Sequence, residues 1–274
     1  MTQPANSFTR TQRPANRTGA NLKRLTTGAV LYVVSFGALL LVWHLASAYL
    51  VKSVLFPTPA AVFSKAIELI ANGSLIENSA ASLKRIAIGF VLGSSLAIPI
   101  GLTIGSFQLA RKLIEPWTEF LRFIPSVALI SIAVVWFGIG EEGKIFLIMY
   151  TTVFIVILNT AAGVASIPRN MIRAALALGA SKWQVYVLIA LPATVPFILT
   201  GMRLAMANSF TTIVAAEFVS APAGLGVVLW NGRLFMLVDE IFVALVTLGL
   251  LGFTADRLFR FAINRFAHRY NPVV

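Results

Sequence analysis

Six apolar runs, each close to the length that crosses a bilayer, recur along this chain and limit its fold more than any other feature. They fall at about residues 27–51, 86–107, 124–140, 145–165, 193–219 and 241–261. The runs are continuous rather than alternating, which argues against a β-barrel. They predict an all-α polytopic membrane protein with about six transmembrane helices. Composition agrees: 58% of the 274 residues are hydrophobic and 12% are charged, with a mean hydropathy of +0.86. A soluble domain of this size cannot hide so much apolar surface. The chain has no cysteine, which excludes disulfides, thiolate nucleophiles and Cys-ligated metals. Its two histidines, His44 and His268, do not suffice for a histidine-built metal site.

Residues 1–26 are polar, and Arg10, Arg13, Arg17, Lys23 and Arg24 are their only charges, which predicts a disordered tail. The run at 27–51 is too long for a signal-peptide core and lacks a small-residue cleavage site, so it reads as an uncleaved first span. In residues 52–84, Pro57 and Pro59 break the chain. Val62, Ala66, Leu69 and Ile70 then predict a short amphipathic helix. Residues 85–261 hold the other five spans, and 262–274 form a second tail. In the second span Gly89, Gly93, Ala97, Gly101 and Gly105 recur every four residues, a ridge of small side chains that lets another helix approach closely. Pro99 within it predicts a kink.

Arg111 to Arg122 reads as a charged loop, with the third span starting near Ile124. The stretch GIGEEGK, Gly138 to Lys144, matches the phosphate-loop pattern G-x-x-x-x-G-K. Ile145 stands where that loop needs Ser or Thr, no strand precedes it, and Glu141 and Glu142 repel phosphate. It reads as a tight interhelical turn. The fifth span is the most polar. Asn208, Ser209, Thr211, Thr212 and Glu217 are its candidate translocation-path residues, with hydrogen bonding between helices as the competing role. Glu217 is the acidic residue placed within a span, close enough to the outer interface that structural pairing competes with a path role. Residues 220–240, with the run APAGLG, return partly into the protein or cap it from outside.

The net charge of +12 invites a nucleic-acid reading, but membrane orientation accounts for it. With both termini inside, fifteen Lys and Arg fall on the cytoplasmic side and six outside, namely Lys52, Lys65, Lys84, Arg85, Lys144 and Arg233, with Arg203 intramembrane.

The stretch from Ser166 to Pro192, SIPRNMIRAALALGASKWQVYVLIALP, is amphipathic and lies between two spans. Met171, Ala174, Ala175 and Leu178 recur at helical spacing after Pro168, and Gly179 suits a C-cap. Ser181 with Gln184 three residues on predicts a capping box and a second short helix from about Lys182. Pro192 limits how far that helix continues unkinked. On pattern alone, a connecting loop that happens to be helical is the simpler account. However, Arg173-Ala174-Ala175, then Gly179, then Ile189-Ala190-Leu191-Pro192 resembles the EAA loop of permease subunits of bacterial ABC importers, with both internal spacings kept and Arg173 in place of the usual Glu. The runs LFPTP, SLKRIAIGF and LRFIPSVALISIAVVWFGIG resemble the taurine, sulfonate and nitrate branch of that family. The resemblance covers about residues 54–258.

The resemblance implies a type I importer permease. Arg173, Ala174, Ala175, Gly179, Ala180, Ser181, Ile189, Leu191 and Pro192 would form a cytoplasmic coupling hairpin at 166–192. It implies a cytoplasmic ATPase dimer that binds the ATP and Mg, a periplasmic substrate-binding protein, a second copy of the chain, and alternating access for a small anionic solute. The setting would be the bacterial inner membrane with both termini cytoplasmic. The chain itself would hold no cofactor and would not be an enzyme. The competing class is a stand-alone secondary transporter or channel, which often carries buried carboxylates and inverted repeats; no convincing repeat is visible here. An intramembrane enzyme would need a nucleophile with a base, and no His or Cys lies at mid-membrane.

Overall fold

The computed structural model describes residues 17–50, 55–219 and 221–266, and the chain divides into two units at Pro59. The tail segments 1–16 and 267–274 lie outside the described residues. In the N-terminal unit, α1 (Arg17–Leu45) begins within the segment expected to be tail and ends in a π-helical turn at Ala46–Leu50. Its 20-residue stretch Val30–Tyr49 is long and apolar enough to cross a membrane. Within it, the Trp43 indole donates to the Pro57 carbonyl at 3.2 Å.

The second unit opens with α2 (Pro59–Ala71), the expected amphipathic helix, started by a proline at its first turn. Gly73, at φ 80°, turns the chain into α3 (Ser74–Ser106), α4 (Gln108–Leu121) and α5 (Ile130–Phe137). There follow α6 (Glu141–Ala165), α7 (Arg169–Ala177), α8 (Lys182–Val185), α9 (Leu191–Glu217), α10 (Leu225–Leu234) and α11 (Val238–Phe266). Five helical stretches are long and apolar enough to span a membrane, and a bent pair makes a sixth.

That bent pair corrects the expected loop at Arg111–Arg122, which is helical. Leu109, Leu113, Trp117 and Phe120 repeat at helical spacing with charges between them, so α4 is amphipathic rather than irregular. The charges that suggested a loop sit at pairing distance along its other side, as in Arg122 to Glu119 at 3.4 Å. The chain then turns by 85° before a 3-10 turn at Ser126–Leu129 leads into α5. Pro125, extended at ψ 133°, helps keep the two helices from merging. The third span is therefore broken, and Ser126–Phe137 alone is too short to cross.

The core is a three-helix layer of α3, α6 and α9. The small-residue ridge of α3 packs on an every-fourth-residue ridge of α6. A Cβ added at Gly89, Gly93, Gly101 or Gly105 would land 2.5–2.7 Å from the Cβ of Ile148, Thr152, Thr160 or Val164, in that order. Ala97 and Val156, both fully buried, complete the series in one cluster. This is close backbone approach of the kind that holds membrane helices together without hydrophobic drive. Pro99 lies inside an unbroken α3. On the far side of α6, Gly201 of α9 meets Asn159 and Gly163 meets Phe197. Lys65 of α2 reaches Glu68 at 3.0 Å and Glu240 at the start of α11 at 3.3 Å. The Glu68 hydrogen bond, chiefly, holds the Lys65 ammonium above its ordinary pKa.

Candidate functional site

Three features lie along the 36-residue helical stretch Lys182–Glu217: a hairpin at its start, a cavity beside its middle and an ion cluster at its end.

The hairpin is held by its own backbone. Arg169–Ala177 forms α7, and Pro168 precedes it in an extended conformation. Gly179, at φ 86°, donates to the Leu176 carbonyl at 3.0 Å, and Ala180 donates to the Ala175 carbonyl at 3.0 Å. This is a complete Schellman motif, and its left-handed residue is the glycine expected there. The capping box is also present: the Gln184 amide donates to Ser181 Oγ at 3.2 Å, and the Ser181 amide donates to Gln184 Oε1 at 2.7 Å. Arg173, Ala174, Gly179 and Ser181 are exposed, while Ala175, Ala180, Ile189, Leu191 and Pro192 are half-buried. Arg173 makes no ion pair among the described residues. Leu178 and Trp183 stand out at 89% and 66% exposure. A Cβ on Gly179 would meet nothing within 4 Å, so the corner is open on the outside.

Instead of kinking, the chain passes from hairpin to span through a π-helical turn at Tyr186–Ala190. The Leu191 amide donates to the Tyr186 carbonyl, five residues back. Widening the helix there makes room for Pro192, which has no N–H and whose ring would crowd the preceding turn.

Beside the middle of α9 lies a cavity of about 470 Å³. Asn208, Thr211 and Thr212 line it from α9, Tyr150 and Thr151 from α6, and Arg122 from the bend after α4. Among the described residues Arg122 is its only charged lining residue. The Tyr150 hydroxyl donates to the Leu121 carbonyl at 2.6 Å, which ties α6 to that bend. Of the five candidate path residues the structure brings together three. Ser209 is fully buried and does not line the cavity, donating to the Ala205 carbonyl and lying 3.4 Å from Thr152 Oγ1. Glu217 is also away from the cavity. Sequence reasoning missed Arg122 as a lining residue because it was counted as loop.

Glu217 is instead the centre of the ion cluster. Its carboxylate accepts from Arg85 Nη1 at 2.6 Å, Ser82 Oγ at 2.8 Å and the Gly226 amide at 2.8 Å. Arg85 continues to Glu141 at 2.5 and 2.8 Å and donates to the Ala223 carbonyl at 2.6 Å. Lys144 closes onto the Gly140 carbonyl at 2.8 Å. The tight turn expected at Gly138–Lys144 is present, with Gly138 at φ 72°, and its glutamates enter the first turn of α6. A side chain at Gly224 would strike the Glu217 carboxylate. The cluster ties α3, α6, α9 and α10 together, so Glu217 belongs to structural pairing. Glu217 is also not the only acid within a span: Asp256 lies inside α11 and pairs with Arg203 at 2.5 Å.

A family model described as the binding-protein-dependent transport system inner membrane component matches residues 89–269. The chain belongs to this family. The permease is 41% identical over 239 residues to a probable ABC transporter permease of Brucella melitensis, covering 87% of this chain and 96% of that one. It is 34% identical to an aliphatic sulfonates transport permease of Escherichia coli, covering 84% and 88%. Taurine and nitrate permeases are among its further relatives. Its fold is similar to a chain from inward-facing structures of the MetNI methionine ABC transporter, with a TM-score of 0.60 at 17% identity, covering 75% of this chain and 98% of that one. The permease thus has the type I importer fold and is a transport subunit of the taurine, sulfonate and nitrate branch. Among its described residues no cluster suits a metal.

Proposed function

We propose that the permease moves a small anionic solute of the sulfonate or nitrate class inward by alternating access. A cytoplasmic ATPase dimer would drive it, and a periplasmic binding protein would deliver the solute. Two copies of the chain pair about a two-fold axis, which is the commonest arrangement for identical subunits. The observation that carries this reading is the continuity of Lys182–Glu217. One helical stretch runs from the exposed hairpin, past the cavity, to the buried cluster. A displacement applied at Lys182–Val185, the hairpin's second helix, therefore reaches Asn208 and Thr212 along one helical stretch. The cavity supports an anion, since Arg122, hydroxyls and an amide line it and, among the described residues, no carboxylate does. ATP and Mg belong to the partner ATPase.

The positive-inside count supports cytoplasmic termini, and the burial of Arg85 and Lys144 strengthens it. Two of the six residues counted outside are ion-cluster members rather than loop charges.

Purification of the full chain from native membranes tests the reading. An ATPase in stoichiometric amount, lost with Gly179→Trp while the permease stays inserted, is the expected result. A chain that purifies alone and transports in liposomes without ATP would overturn it in favour of a secondary transporter.

A further inference from the structure

A second charged group lies between α9 and α11, on the face of α9 turned from the cavity. Arg203 is about 140° from Asn208 and about 180° from Thr212 around the helix, at 100° per residue. Its guanidinium binds Asp256 at 2.5 and 3.4 Å. Arg260 binds the same carboxylate at 2.8 Å. Arg257, one residue from Asp256, lies with its guanidinium carbon 5.0 Å from the Phe253 ring centroid. No second carboxylate pairs with these arginines among the described residues. Two guanidiniums thus share one aspartate, and Arg257, three residues before Arg260 on the same helix, adds a third cation without an acid of its own among the described residues.

The group is also accessible. The side chains of Arg203, Asp256 and Arg260 are 37%, 26% and 46% exposed. Leu204 next to Arg203, and Phe253 and Phe261 near Arg257 along α11, are exposed apolar residues. At 1.5 Å per residue, Arg260 lies about 30 Å along α11 from Glu240, which is the thickness of the hydrocarbon core. The cluster therefore starts just inside one membrane boundary and ends at its headgroup level. A guanidinium there reaches the headgroup level, and the fork of donors it presents fits a phosphate.

We infer that Arg203, Arg257 and Arg260 form a binding site for the phosphate of an anionic phospholipid, with Asp256 orienting two of the three guanidiniums and the exposed apolar residues beside them receiving the acyl chains. The single carboxylate leaves two positive charges for the lipid to neutralise. Basic pockets between membrane helices at the headgroup level take such lipids. The Arg203–Asp256 pair fastens the two helices whether or not lipid is bound. Lipid recognition rests on Arg257 and Arg260, which no second acid matches.

Native mass spectrometry of the full-length permease in mild detergent, titrated with phosphatidylglycerol and with phosphatidylcholine of matched chains, tests the site. The wild type is expected to retain phosphatidylglycerol in preference. Arg257→Gln with Arg260→Gln, which leaves the Arg203–Asp256 pair in place, should weaken that binding by about 25-fold, at roughly fivefold per basic residue. Phosphatidylcholine retention should not change. If the double variant does not fold, Arg260→Gln alone should weaken it by about fivefold. Equal retention of the two lipids by the wild type, or undiminished phosphatidylglycerol on the variants, would overturn the proposal. Displacement of the lipid by millimolar inorganic phosphate would overturn it as well, by making the site one for a free anion.

Discussion

The two ends of the Lys182–Glu217 stretch are built on opposite principles. At Glu217 a carboxylate with no exposed side-chain surface is fixed by donors from α3 and from the start of α10, and its side-chain partners Ser82 and Arg85 lie 135 and 132 residues away in sequence. At the hairpin, Gly179 and Ala180 bond back to Leu176 and Ala175, Ser181 and Gln184 cap one another, and a Cβ at Gly179 would touch nothing. The first arrangement resists movement of one helix against another. The second keeps its shape as a unit while leaving its face free for something else. A transporter needs both, a clamp at the far end of the stretch and a handle at the near end.

Substitutions at the two ends should separate cleanly. The largest effect is expected from Arg85→Ala, which strands Glu217 and Glu141 without their shared cation and should remove about 3–5 kcal/mol of stability. Thermal unfolding of the purified permease would show a large fall in Tm, or too little folded protein to measure. An unchanged Tm would break the contrast. Next is Gly101→Val, whose added atoms would collide with Thr160 and cost about 1–3 kcal/mol by overpacking. Gly249→Ala sharpens this, because its Cβ meets nothing within 4 Å and the change should leave Tm equal or higher.

Smaller effects belong to the hairpin. Gly179→Ala forces an alanine to φ 86°, a local penalty of about 1–2 kcal/mol, without a clash. Tm of the span bundle should hold while ATP-driven uptake falls, and full uptake would count against a coupling corner. Ser181→Ala removes one cap, about 1 kcal/mol, which faster hydrogen exchange of the Lys182–Val185 amides would report. Arg173→Glu should move stability by no more than about 0.5 kcal/mol, being exposed and unpaired, yet reduce ATPase co-purification. Unaltered co-purification would mean that this arginine faces away from the partner.

What the sequence revealed follows the same division. The capping box, the Gly179 corner, the glycine ridge of α3 and the GIGEEGK turn depend on residues within a turn or two of each other, so their spacing announces them. The Arg85–Glu217 pair joins residues 132 apart, and no local pattern marks it. Arg85 consequently reads as a loop charge, and Glu217 as either a path residue or a structural pair with no partner named. Asp256 lies in the sixth run, where its pairing with Arg260 is local but its pairing with Arg203 on another helix is not. The α4 helix was misread differently: its alternation of charge with Leu109, Leu113 and Trp117 was taken as irregular, although it follows helical spacing. The cavity was half legible. Hydroxyl-rich α9 pointed to it, but which side of the helix faced inward depended on packing against α6.

The π-helical turn at Tyr186–Ala190 carries one residue more than an α-helical path would need. That surplus sets the azimuth of the hairpin about the helix axis relative to the core. Deleting Val187 would restore ordinary periodicity and shorten the rod by only about 1.5 Å, yet swing Arg173 and Gly179 through about 100°. The protein would still span the membrane and still present a well-formed hairpin, but out of phase with anything shaped to receive it.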